Sequence, residues 1–135
     1  MRNLILSIII LSSICIMPVS AEDFAYLENL SAVQKQQLNR IYHSYKQENN
    51  SLEMRIINYK DKLIKLQEVS DISAEQANLL KTAYERNINV LTTQQERLKE
   101  QTEQQYKSVM SPEQYKQHLA QQMQVENAFN EFLRK

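Results

Sequence analysis

The side chains able to do nucleophilic or ligand chemistry are few and far apart. The chain has two histidines, His43 and His118, and one cysteine, Cys15. The histidines are 75 residues apart, and neither has His, Asp or Glu four residues away on the C-terminal side, where Gln47 and Gln122 stand. A His-Glu-x-x-His metal pair is missing, and with no glycine there is no Gly-x-Ser-x-Gly elbow. Metal sites need several clustered ligands, and Met54, Met110, Met123 and the scattered glutamates offer no such spacing. These residues predict no catalytic centre, no metal site and no cofactor: the chain reads as a protein that is not an enzyme. A lone histidine on a helix is expected to be solvated, and His118 is read that way.

The N-terminus points to export. Arg2 gives a positive start, residues 4–17 are apolar apart from three serines, and Val19-Ser20-Ala21 supplies the small residues of a cleavage site. The apolar run is too short for a membrane span. The expectation is a signal peptide over residues 1–21 and one domain over residues 22–135, beginning at Glu22. An uncleaved N-terminal anchor is the rival reading. Cys15 follows Ile14 rather than a small residue, so it fits a lipidation signal poorly and falls within the removed segment. The mature chain then holds no cysteine, which excludes disulfides and Cys-based zinc sites.

The remaining 114 residues carry 15 basic and 16 acidic side chains, a balance that does not suggest a nucleic-acid partner. The absence of glycine argues against hairpin turns and phosphate-cradling loops, and so against β-sandwich, dinucleotide-binding and P-loop folds. Gln, Lys, Glu, Leu and Ala dominate, and these are good helix formers. Three near-copies of one pattern mark helix starts: Leu30-Ser31-Ala32-Val33-Gln34, Ile72-Ser73-Ala74-Glu75-Gln76 and Met110-Ser111-Pro112-Glu113-Gln114. In each, the Ser hydroxyl can accept from the backbone N–H three residues on, while the Gln reaches back to the Ser N–H. Pro112 falls at the first helical position, where a missing N–H costs nothing. Three helices are predicted, over about residues 31–69, 73–109 and 111–133. A fourth match, Leu91-Thr92-Thr93-Gln94-Gln95, lies inside the second helix by periodicity and reads as chance. Phe24, Tyr26 and Leu27 mark the preceding segment as a strap packed on the helices.

The first helix has a seam in 4-3-4-3 spacing: Leu38, Tyr42, Tyr45, Asn49, Leu52, Ile56, Tyr59, Leu63 and Leu66. That is a coiled-coil-like face, interrupted by one polar residue of the kind that fixes register. Ile57 and Ile64 lie beside it. In the second helix Ala77, Tyr84, Leu91 and Leu98 recur every seven, joined by Leu80, Ile88 and Val109, but Gln95, Thr102 and Gln105 follow on the same stripe. That later half is where water, looseness or a partner is expected. Tyr115, Leu119, Met123, Phe129, Phe132 and Leu133 are the apolar candidates of the third. The fold class is therefore all-α, an elongated helical hairpin of three main helices. Such a shape cannot cover all its apolar stripes alone, which predicts a homodimer. Residues 35–65 hold seven basic and three acidic side chains, residues 66–113 five and eight, so the two arms attract one another or present a basic face to partners. On that basic arm Met54, Arg55, Ile57, Lys60 and Ile64 are the candidate client-binding residues, soft and apolar groups set among positive charge.

The segments around Ser31 and Ser111 resemble the two L-T-x-x-Q signatures of the Spy/CpxP family of periplasmic stress proteins. Ser stands at both Thr positions and Met110 at the second Leu, and residues 51–109 show no match to the family. The resemblance implies a curved hairpin that dimerises into a cradle. It implies periplasmic, ATP-independent binding of unfolded or misfolded envelope proteins, or inhibition of a sensor kinase. It makes Leu30, Ser31, Gln34, Met110, Ser111 and Gln114 structural residues that fasten the chain ends. Some relatives respond to metals, so a metal-binding protein is the alternative, beside a structural helical adaptor.

Overall fold

The computed structural model describes residues 24–135, and among these every regular element is helical. The signal segment, Cys15 and the Glu22 start lie outside the described residues. Three helices follow in chain order: α1 (Ala32–Leu66), α2 (Ala74–Val109) and α3 (Pro112–Arg134). The starts fall directly after Ser31, Ser73 and Ser111, as the capping pattern requires. Helix α1 ends three residues short of expectation. There Gln67 N–H and Glu68 N–H bond to the Ile64 and Lys65 carbonyls, an i→i−3 tightening that closes the last turn. No described helix is long and apolar enough to cross a membrane.

The chain divides into two units. Among the described residues, the first takes residues 24–43 together with 101–135, and the second is residues 44–100. In the second unit, Leu52 and Ile56 of α1 pack with Leu91 and Leu98 of α2, and Tyr45, Tyr59 and Ile88 flank them. Lys62 sits over both the Tyr59 and Tyr84 rings, 5.1 and 5.9 Å from their centroids. Every residue of the nine-membered α1 seam is buried or half-buried, so its spacing does describe an inward face.

The later half of α2 is buried along one stripe. Gln95, Leu98, Thr102 and Tyr106 are buried, whereas Gln105 is exposed. The inward stripe runs 91-95-98-102-106, with a step of four where a seven-residue repeat would have taken three. That step brings the large Tyr106 ring inward in place of Gln105. Gln95 is accommodated by a partner: its Nε2 donates to Asn49 Oδ1 at 3.2 Å, with both side chains buried. Gln95→Leu is expected to cost about 1–3 kcal/mol, because it strands the Asn49 carbonyl oxygen in an apolar setting. Replacing both residues by Leu should recover most of that loss. Urea unfolding of the two variants checks it; equal losses would mean the bond contributes nothing.

Helix α3 follows its apolar pattern only in part: Tyr115 and Phe129 are half-buried. Leu119 (42%), Met123 (63%), Phe132 (74%) and Leu133 (55%) are exposed. Its inward face is instead Gln114, His118, Gln122, Val125 and Phe129, polar at the start and apolar further on. Apolar periodicity finds Phe129 on that face but misses its polar start.

Candidate functional site

The first unit holds the densest polar construction. Ser31 and Ser111 each close a capping box. Gln34 N–H donates to Ser31 Oγ at 3.1 Å, and Ser31 N–H donates to Gln34 Oε1 at 3.0 Å. Gln114 N–H donates to Ser111 Oγ at 3.2 Å, and Ser111 N–H to Gln114 Oε1 at 2.9 Å. A backbone N–H can only donate, so these contacts fix the oxygen end of each amide and aim the NH2 groups elsewhere.

Those NH2 groups interlock the boxes. Gln34 Nε2 donates to Gln114 Oε1 and to the Val109 carbonyl, both at 3.0 Å. Val109 is the last residue of α2, and its carbonyl is one of the four that a helix end leaves without an internal partner. Gln114 Nε2 donates to the Glu28 and Asn29 carbonyls at 3.0 and 3.3 Å. Gln114 thus uses two N–H donors and two acceptor positions, the full capacity of a primary amide. It is 5% exposed. The strap joins α1 through Asn29, whose φ of 59° is left-handed. Asn tolerates that region better than most residues, which matters in a chain without glycine.

The third box, at Ser73, has bonds of 3.4 and 3.2 Å, and all four groups belong to exposed residues. It caps α2 in the ordinary way. The fourth match is mid-helix: Thr92 and Thr93 hydroxyls donate back to the Ile88 and Asn89 carbonyls at 2.8 and 3.0 Å.

Beside the interlock lies a histidine that is not solvated. His118 has no exposed surface. Its Nδ1 is 2.7 Å from the Tyr26 hydroxyl, and its Nε2 is 3.3 and 3.4 Å from the Glu103 carboxylate oxygens. Gln122 Nε2 also donates to Glu103, at 2.8 Å. Opposite an ionised Glu103, the ring proton belongs on Nε2, so Nδ1 accepts from Tyr26. Tyr26 stacks on the imidazole at 6.2 Å and Tyr106 meets it edge-on at 5.4 Å. Desolvation, with the Glu103 charge second, pushes the neighbouring Tyr115 hydroxyl above its ordinary pKa. The sequence signal for this cluster was Gln114, His118 and Gln122 at helical spacing, a polar stripe whose members all donate and accept.

Of the residues expected from the sequence, Leu30 and Gln34 are half-buried, Met110 and Gln114 buried, and Ser31 and Ser111 exposed. The residues expected to bind clients belong to the second unit. There Met54 is 65% and Ile57 38% exposed, Arg55 is exposed, and Lys60 and Ile64 are half-buried. Burial pulls the Lys60 ammonium below its ordinary pKa. Among the described residues no three His, Cys, Asp or Glu side chains gather where they could hold a metal ion. Comparison of the chain with protein-family models, with curated proteins and with solved structures finds no match.

Proposed function

We propose that this chain is a periplasmic, ATP-independent holding protein of the Spy/CpxP kind, which binds unfolded or misfolded envelope proteins. In this reading α1 and α2 form a hairpin with coiled-coil-like seams, two copies pair into a cradle, and the periplasmic domain of a sensor kinase is a further partner. The observation that carries it is the exposure of Met54 and Ile57 beside Arg55, opposite an α1 seam that is itself covered. A flexible thioether, a branched aliphatic group and a cation suit varied apolar and acidic segments. The two interlocked glutamine boxes lend further support, since they fall at the positions of the family's two signatures.

The purified mature chain is expected to suppress aggregation of a denatured client without nucleotide. Met54→Ser combined with Ile57→Ser should weaken client binding about tenfold, as removing two apolar contacts takes roughly 1.4 kcal/mol or more from an interface. Helicity by circular dichroism should not change, because both residues are exposed. Undiminished suppression by that variant would remove this surface from the function, and a wild chain without suppression would remove the function itself.

A further inference from the structure

The strap is held the way a groove holds a peptide. Within residues 24–29 the backbone makes one short-range bond, Leu27 N–H to the Phe24 carbonyl at 3.0 Å. The Phe24 and Tyr26 rings also lie 6.5 Å apart, and further contacts come from outside the strap. Phe24 is 2% and Leu27 6% exposed, and the Phe24 ring meets Tyr106 edge-on at 5.6 Å. Tyr26 lies against His118, with its hydroxyl on Nδ1. Side-chain amides read the main chain: Glu28 N–H donates to Gln117 Oε1 at 3.1 Å, and the Glu28 and Asn29 carbonyls accept from Gln114. Pockets for alternate side chains combined with bonds to the backbone are how proteins bind unstructured segments. The strap is outside any helix, so lifting it breaks no helical ladder.

We propose that Tyr106, Gln114, Gln117 and His118 form a peptide-binding site, which the strap fills as a tethered competitor. The site takes aromatic–x–aromatic–aliphatic segments of unfolded polypeptides when the strap swings away about Asn29. Identifying the partner as an unfolded chain rests on the holding function above; the site itself does not depend on Met54 or Ile57. The link from the strap to α1 is residues 30 and 31, and so short a tether gives an effective concentration in the range of about 1 mM. A free peptide at micromolar concentration is therefore excluded from the wild chain.

The test uses the full mature chain with Phe24→Ser and Leu27→Ser, which removes the strap's two buried apolar side chains and leaves all four receiving residues. The probe is a fluorescent peptide of sequence Phe-Ala-Tyr-Leu-Glu-Asn, with Ser-Ala-Ser-Ser-Glu-Asn as control. The variant should bind the probe saturably and at least about tenfold more tightly than the wild chain, and should ignore the control. Gln117→Ala added to the variant should weaken binding about fivefold, the worth of one hydrogen bond of about 1 kcal/mol. Tyr26→Phe, which deletes only a hydroxyl, serves if the double variant loses helicity; it should ease probe entry about fivefold over the wild chain. A folded variant that fails to bind, equal binding by the wild chain, or equal binding of the control overturns the proposal. A wild-type dimer that the probe dissociates would assign the site to a second copy's strap, and would also overturn it. Probe binding without aggregation suppression would leave the site standing and reject the holding function alone.

Discussion

Gln114→Glu is expected to destabilise the chain by about 3 kcal/mol, while Gln76→Glu leaves its melting temperature unchanged or slightly higher. Both residues occupy the third helical position of a capping box, where Glu serves as well as Gln. The box at Ser73 is exposed and its glutamine makes no further bond beyond the cap among the contacts described. A carboxylate there keeps the cap and adds a favourable charge near a helix N-terminus. At position 114 the amide nitrogen is indispensable, because it donates to the Glu28 and Asn29 carbonyls. A carboxylate would aim negative charge at two acceptors in a site where the side chain is 5% exposed. Ser111→Ala, which removes one capping bond, should cost only about 1 kcal/mol. Thermal unfolding of the three variants gives the ranking. Equal tolerance of Glu at both positions would mean that the boxes at Ser31 and Ser111 are ordinary caps and not an interlock.

The same contrast shows how much of this site could be read in advance. Ser-x-x-Gln marks helix starts through local hydrogen bonding, so the three starts and the inward face of α1 followed from spacing alone. Nothing local separates the box at Ser73 from those at Ser31 and Ser111. The difference lies in where the amide NH2 points, and its acceptors are 75 to 86 residues away in sequence. Gln105 failed for a related reason. A repeat of seven placed it inward, whereas a step of four from Thr102 delivers Tyr106, and an aromatic ring fills that space as an amide would not. The polar start of the α3 inward face was illegible because apolar spacing is the wrong signal for it. Gln114 and His118 are buried as hydrogen-bonded groups, and their partners stand on the strap, on α1 and on α2.

His118→Leu is expected to cost about 2–4 kcal/mol, although it replaces a polar side chain by an apolar one in a fully buried position. Leucine fills much of the space. It removes the ring nitrogen that the Tyr26 hydroxyl meets and takes from Glu103 a donor that stands beside Gln122. A half-buried carboxylate that loses a donor is the larger penalty, since desolvating an anion costs more than desolvating a hydroxyl. Glu103→Gln introduced beside His118→Leu should therefore recover part of the loss. Tyr26→Phe should couple to His118→Leu by about 1 kcal/mol in a double-mutant cycle, because both delete the same bond. Nitrogen-15 NMR gives an independent check on the ring: the proton should reside on Nε2, with Nδ1 as the acceptor. Additive effects of Tyr26→Phe and His118→Leu, or a proton found on Nδ1, would show that Tyr26 and Glu103 do not hold the imidazole from both sides.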